Sequence, residues 1–228
     1  MKRSILSLVL VFIMSIGVFS NDAPKITVTG TGRVETVPDT AVISFTVLNT
    51  GEELSPIKKE NDRITKDAVE ALKKYGIARE DMFTSNYNIS HNYEYPVKNK
   101  ERKKVYTVRN QLRVTVRDIE KVGEVVTILE KNGVNTIQGI NYTTSKSEEL
   151  RLEAIGRAYK DAKKKALHLA GLEGSKVEVI SISANNYTPR PEVYMAADAM
   201  RSKSATPIYA PTEVSVDANI TAVFKMVK

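Results

Sequence analysis

A run of small residues at helical spacing is the feature that most restricts how this chain folds. The run lies in 147–170, and its apolar side chains recur at intervals of three and four residues: Ala154, Ile155, Ala158, Tyr159, Ala162, Ala166 and Leu169. This spacing places them on one face of a helix about 36 Å long. Because most of these side chains are alanine, we expect the helix to lie close against a sheet built from the strands on either side of it.

The ends and the outer face of this helix also carry signals. Ser145 and Glu148 have the spacing of a capping box, and Gly171 stands where a helix commonly ends in the left-handed conformation. The face opposite the alanines is basic, through Arg157, Lys160, Lys163, Lys164 and Lys165. We interpret it as a solvated surface, with a polyanion-binding face as the alternative.

The first twenty residues have the pattern of an export signal. Lys2 and Arg3 precede an apolar run over 5–19, and small Ser20 follows. This pattern predicts cleavage after Ser20, because the run is shorter than the roughly 20 residues of a membrane-spanning helix. An uncleaved anchor is the alternative. The sequence contains no cysteine, which excludes disulfides, thiolate metal sites, thiol catalysis and lipidation of an N-terminal cysteine.

Charge and length restrict the partners and the number of domains. The formal charge of +7 becomes about +5 (7 − 2) once Lys2 and Arg3 are removed. A mildly basic exported chain is suited to anionic lipid or cell-wall polymer rather than to nucleic acid. We expect 21–228 to form one domain, with a division into two lobes that share a core, 21–117 and 118–228, as a further option.

Alternating apolar and polar residues predict most of the strands. They cover 25–30, 40–48, 136–142, 176–184 and 213–227. On the second of these strands Ala41, Ile43, Phe45 and Val47 share one face. Gly30-Thr31-Gly32 is interpreted as a tight turn or bulge. It lacks the third glycine and the following helix of a nucleotide-binding loop.

Two further helices are predicted from their ends. The first has Ser55 at the N-cap and Pro56 at the first helical position, and Gly76 ends it. The second follows Asp118 and ends at Gly133. The order is therefore ββαββ and then αβαββ, in which a helix followed by a hairpin occurs twice, as after a duplication. This order predicts an α+β fold, with antiparallel sheets and long hairpins packed against helices.

The clearest strand signal is a long hairpin over 83–95 and 106–116. Phe83, Tyr87 and His91 belong to one mostly apolar row, which predicts a histidine that is half-buried or hydrogen-bonded in the core. The hairpin tip carries a cluster of basic residues, Lys98, Lys100, Arg102, Lys103 and Lys104. We interpret the tip as a solvated turn, with contact to anionic lipid or polymer as the alternative.

A long connection, 185–212, joins the last two strands. It contains four prolines and a middle rich in alanine and methionine. Tyr194, Met195 and Met200 are costly to leave exposed on a monomer, so we predict that this connection contacts a neighbouring subunit. A surface excursion without a partner is the alternative.

No motif for catalysis or metal binding is found in the sequence. His91 and His168 have no second histidine or glutamate at ligand spacing, and there is no GxSxG, HExxH or phosphate-binding loop. No catalytic residue, cofactor or metal is assigned, and the sequence predicts a protein that is not an enzyme.

Three stretches carry a family resemblance. The most specific is 28–47, VTGTGRVETVPDTAVISFTV, and 106–118 and 132–142 support it together with the alanine-spaced helix. In these stretches the chain resembles the SIMPL-domain family of exported bacterial proteins. The residues of the first stretch that match the family are Gly30, Gly32, Pro38, Asp39 and Ala41. The segment 171–174 departs from the family pattern, which leaves the end of the long helix open.

The resemblance covers 28–224 and implies an α+β fold and a periplasmic or outer-membrane-associated location. Members include periplasmic immunogenic and oxidative-stress-associated proteins, and at least one assembles into a large ring-like, channel-shaped oligomer. It implies no reaction. We therefore predict a non-enzymatic envelope protein that forms a homo-oligomer, ring- or channel-like, and contributes to envelope integrity or stress defence. The alternative is a monomeric or dimeric module that binds an anionic envelope ligand through the basic hairpin tip and the lysines of the long helix.

Overall fold

The computed structural model describes residues 23–94, 102–184 and 206–228. The predicted export signal lies outside these residues. So does the part of the long connection that contains Tyr194, Met195 and Met200. Of the basic residues predicted at the hairpin tip, Lys98 and Lys100 also lie outside the described residues.

The described residues form strands and helices in the predicted order. The strands are β1 (Lys25–Thr36), β2 (Thr40–Gly51), β3 (Met82–Glu94), β4 (Lys103–Val116), β5 (Thr136–Thr143), β6 (Lys176–Ala184) and β7 (Val214–Val227). The helices are α1 (Leu54–Tyr75), α2 (Val122–Lys131) and α3 (Ser147–Leu172). This order, with antiparallel sheets, confirms the predicted α+β class.

The strands form two antiparallel sheets, with strand orders β1-β7-β6 and β3-β4-β2-β5. Each sheet combines strands that are far apart in the sequence. β1 pairs with β7 along its whole length, and β2 pairs with both β4 and β5.

The four-stranded sheet is covered on one face by α1 and α2. The predicted inward row of β2 is confirmed, since Ala41, Ile43, Phe45 and Val47 are at most 1% exposed. They pack with apolar residues of both helices in one continuous core. Gly76 ends α1 with a φ of 105°, as predicted, because glycine adopts this left-handed conformation without steric cost.

The predicted start of α1 is wrong by two residues, since the N-cap was predicted at Ser55. The helix begins at Leu54, its N-cap residue is Glu53, and no side chain caps it. Ser55 therefore lies inside the first turn beside Pro56. Proline is tolerated there because its missing N–H would have no intrahelical partner.

The three-stranded sheet is covered by α3, whose alanines form the contact. Ala154, Ala158, Ala162, Ala166 and Ala170 are all fully buried. Leu169, which the sequence placed in the same stripe, is 45% exposed. The stripe continues instead to Ala170, because alanines four residues apart remain on the same side of the helix.

The prediction of a turn or bulge at Gly30-Thr31-Gly32 is wrong, because β1 runs through it without interruption. The glycines are required by the close approach of α3. A Cβ atom on Gly30 would lie 2.0 Å from the backbone oxygen of Ala158. Gly30 and Gly32 therefore provide the depression in which the alanine face of α3 rests.

Both predicted ends of α3 need correction. Lys146 is the N-cap residue and no side chain caps the helix, because the Ser145 hydroxyl donates to Asp39 Oδ2 at 2.6 Å instead. Glu148 forms an ion pair with Arg151 rather than closing a capping box. At the other end the helix passes through 171 to Leu172, and the left-handed glycine is Gly174, with a φ of 65°.

Candidate functional site

The outer strand of the four-stranded sheet, β3, is almost entirely uncovered. Every residue from Phe83 to Glu94 is exposed, and β4 is the only strand that pairs with β3 among the described residues. We use the name hairpin arm for 86–94 together with its β4 partners, 103–111. The end of the arm extends past β2, whose pairing with β4 stops at Gly51 and Tyr106.

A bulge at Ser85 divides β3 into two parts. Before it, Met82 pairs with Val114 on the core face of the sheet. After the bulge, the odd-numbered residues rather than the even-numbered ones point to the core face, so Tyr87 pairs with the buried Asn110 on that face. Phe83, which pairs with Arg113, therefore points to the opposite face from Tyr87. The predicted single row through both residues is wrong, because the inserted residue changes the parity of the strand.

The core-side face of the arm carries aromatic and apolar side chains that are exposed in the part of the chain that the structure describes. Tyr87 is 43% exposed and Ile89 is 39% exposed, since α1 and α2 pack over β2 and β4 rather than over β3. His91 is exposed as well, so the prediction of a half-buried or core histidine is wrong. Its ring contacts Tyr93 edge-on at 5.7 Å between centroids, and Tyr106 at 5.9 Å.

Three of the predicted basic residues lie at the end of the arm. Arg102 stacks on the ring of Tyr93 at 3.7 Å, and Lys104 lies 4.6 Å from the centroid of the Tyr106 ring. A hydrogen bond to Tyr106 raises the pKa of Lys104 above its ordinary value. Lys103 forms an ion pair with Glu52. The arm thus ends in cations held against tyrosine rings.

The outer edge of the other sheet is closed where β1 lies. The backbone N–H of Thr31 donates to Asp161 at 2.9 Å. Arg157 donates to the carbonyl of Arg33 at 2.7 Å, and Lys165 donates to the carbonyl of Thr29 at 3.0 Å. Arg157 and Lys165 remain exposed, as the prediction of a solvated face has it, and their long side chains also reach back to the edge of β1.

The opposite edge of this sheet, β6, carries exposed apolar side chains. Val179, Ile180 and Ile182 are 46%, 47% and 50% exposed. The cause is the position of α3, which packs over β1 and β7. Apolar side chains in a continuous exposed strand are the usual composition of a surface that contacts another protein.

Asp39 is a carboxylate that accepts several hydrogen bonds. It accepts from the hydroxyl and the backbone N–H of Ser145 and from the Thr40 hydroxyl at 2.6, 2.7 and 2.8 Å. These bonds, that from the Ser145 hydroxyl first, lower the pKa of Asp39. Because its oxygens are used by these donors, Asp39 joins the start of β2 to the turn before α3 rather than forming a reactive site.

The described residues contain neither a metal cluster nor a membrane-spanning helix. No group of three or more histidine, aspartate or glutamate side chains in 23–94, 102–184 and 206–228 is placed to hold a metal ion. Within the same residues, no helix is long and apolar enough to cross a membrane.

These features define an α+β protein of two antiparallel sheets, with strands that are exposed in the described part of the chain. The chain belongs to the SIMPL family, described as "Protein of unknown function (DUF541)", whose model matches residues 26–224. The resemblance seen in the sequence is thereby confirmed.

Relatives match over most of the chain. The uncharacterized protein YggE of Edwardsiella ictaluri is 26% identical over 212 residues, which cover 91% of this chain and 89% of that protein. YggE of Escherichia coli K12 is 26% identical over 208 residues, 90% of this chain and 84% of that protein. The 26 kDa periplasmic immunogenic protein of Brucella melitensis is 30% identical over 172 residues, 73% and 69% of the two chains.

Proposed function

We propose that this chain is exported to the bacterial envelope, assembles into a homo-oligomer there without catalysing a reaction, and contributes to envelope integrity or stress defence. Support for export comes from the signal-like first twenty residues and from the Brucella relative, whose name describes it as periplasmic. The family description assigns no function.

The observation that carries self-assembly is the pair of uncovered strands, one in each sheet. β3 is exposed along 83–94 and β6 exposes three large aliphatic side chains. An exposed strand edge is a template for pairing with another chain, and natural monomers usually protect it. Asp161 and its neighbours protect β1, whereas β3 and β6 each have an open edge among the described residues. Two different open surfaces on each protomer allow assembly beyond a dimer.

The direct test is the solution mass of 21–228, measured by light scattering behind a sizing column at low and moderate salt. A mass several times that of one chain at both salt concentrations is expected, because edge pairing and apolar contact are weakly affected by salt. A monomer across a hundredfold range of protein concentration would contradict self-assembly.

A second candidate function rests on the end of the arm. Arg102 and Lys104 lie against tyrosine rings, so an anionic lipid headgroup or cell-wall polymer meets cations and aromatic surface together. This arrangement favours binding to a negatively charged surface.

Sedimentation with anionic and with zwitterionic lipid vesicles tests this second function. Binding to anionic vesicles should weaken steeply with salt and should be reduced by Arg102→Gln with Lys104→Gln. The matched control is Lys73→Gln with Lys74→Gln, which removes the same charge from exposed positions in the last turn of α1. Equal loss in both double variants would indicate a general charge effect and would reject the arm as the site.

A further inference from the structure

We propose that two copies of this chain pair through β3 in antiparallel orientation, about a two-fold axis at Ser90. The pairing joins the two four-stranded sheets into one continuous sheet of eight strands. This inference rests on the proposed self-assembly and names the surface that makes its two-fold contact.

The open edge of β3 is suited to pairing with another β-strand. Among the described residues, β4 is the only strand that pairs with 86–94, so the outer row of backbone N–H and C=O groups has no strand partner. A second strand satisfies that row with a ladder of hydrogen bonds. β3 also lacks the residues that normally discourage such pairing, since 82–93 contains no lysine, arginine, aspartate, glutamate or proline.

The length of the regular part of β3 indicates the register. The bulge at Ser85 interrupts the strand, so the regular part runs from Asn86 to Glu94. The midpoint of these nine residues is Ser90. A two-fold axis at Ser90 therefore pairs all nine residues of one copy with all nine of the other, over about 30 Å.

This register matches the two faces of the strand. Tyr87 lies opposite Tyr93 of the second copy, and Ile89 lies opposite its His91, so the core-side row remains aromatic and apolar. Such cross-strand aromatic pairs stabilise antiparallel sheets. On the other face Asn88 lies opposite Asn92 of the second copy, which puts amide beside amide. A one-residue slip would oppose aromatic side chains to asparagines.

The charges at the ends of the strand are also compatible with this pairing. Glu94 is the only acidic residue of β3 and lies opposite Asn86 of the second copy. Arg109 and Arg113 of that copy are on β4, on the same face and one strand further in. The backbone of β3 that carries Glu94 lies about 10 Å from β4 of the second copy, two strands away. The long side chains of the two arginines shorten the gap to the carboxylate. No like charges face each other in the nine pairs.

Disulfide trapping tests the register without interference, because the chain has no cysteine. In Ser90→Cys the two introduced thiols lie directly opposite each other, at the Cα separation that a disulfide requires. We expect this variant to form a covalent dimer under mild oxidation. Asn92→Cys is the matched control on the same strand and face. Its two copies are separated by about 13 Å, so alone it should not cross-link.

Mixing variants provides the complementary result. Asn88→Cys mixed with Asn92→Cys should cross-link, because these positions are opposite each other in the proposed register. Asn88→Lys with Asn92→Lys places like charges opposite each other twice, and we expect about a tenfold increase in the dimer dissociation constant. Mixing that variant with one carrying Asn88→Glu and Asn92→Glu should restore a mixed dimer.

The outcomes separate this inference from the proposed function. Cross-linking at position 90 and in the 88–92 mixture, with none at 92 alone, supports the two-fold pairing. A multimeric mass without either cross-link, unchanged by the lysine variant, overturns the β3 pairing and leaves self-assembly standing. A monomeric mass for the unmodified chain overturns both.

Discussion

Gly32 of β1 lies directly under the backbone oxygen of Ala154 in α3, so that a Cβ atom on this glycine would come within 2.0 Å of that oxygen. The obstacle is helix backbone rather than the end of a flexible side chain. The closeness of α3 to its sheet is therefore set by the glycines of β1 and the alanines of α3 together.

Gly32→Ala should lower the free energy of unfolding by about 1–3 kcal/mol, because α3 must move away from β1 and its buried alanines lose contact. Urea unfolding followed by circular dichroism measures the change. Gly156→Ala is the control, since a Cβ there meets nothing within 4 Å. It should stabilise the protein by up to about 1 kcal/mol through helix propensity. Equal midpoints for both variants would contradict the close contact.

Asp39→Asn should reduce stability at pH 7 and have a smaller effect at pH 3. The pKa of Asp39 is lowered in the folded state, so its stabilisation is present above its unfolded pKa of about 3.9 and is lost as the pH falls through the lower folded value. Urea midpoints at the two pH values measure this difference. Glu173→Gln, at an exposed position after α3, is the comparison. A deficit for Asp39→Asn that is the same at both pH values would argue against this linkage.

Asn61→Ala should cost about 1–3 kcal/mol of folding free energy. The Asn61 side chain is fully buried, and its amide donates to the carbonyl of Val47 and to Asn49 Oδ1, both at 2.9 Å. Removing the amide leaves the buried Val47 carbonyl and the half-buried Asn49 Oδ1 with fewer donors, and it opens space beneath α1. Asn141→Ala, on the exposed side of β5, should change the unfolding midpoint little. Similar losses in the two variants would show that the buried amide has no special role.

Asp161→Ala should open the edge of β1. The variant frees the Thr31 N–H and removes the carboxylate that holds Lys165 at the same edge. We expect faster growth of scattered light on incubation at high protein concentration, because an unprotected edge pairs with other chains. Lys160→Ala removes a charge from the same helix without touching this edge. If both variants aggregate at the same rate, the edge is not protected by Asp161.

Most of the fold was predictable because local patterns agree with the long-range packing. The inward row of β2, the alanine face of α3 and the glycine that ends α1 all follow from spacing and backbone preference. The hairpin of β3 and β4 was also predicted. Its exposure was not, because alternation reports the period of a strand and not whether a helix covers it.

Two of the errors share a physical cause, which is contact between residues distant in sequence. The Ser145 hydroxyl could form a hydrogen bond with the nearby start of α3. It donates instead to Asp39, which is 106 residues away in the sequence. Gly30 and Gly32 suggest a turn when only the local sequence is considered. In the structure, their lack of a Cβ atom lets α3 pack closely against β1. The open edge of β3 did have a sequence signal, the absence of charge and proline from 82–93.

The pairing of β1 with β7 places a limit on when this protein can fold. Lys25 pairs with Lys225, so the first described strand cannot pair until the last one has been synthesised. During synthesis β1 therefore has no strand partner until β7 has been made, and α3 has only part of the surface on which it packs. Completion of the three-stranded sheet becomes a late step, after the whole chain has been released. A chain of this design keeps its first described strand unpaired until its last strand has been made.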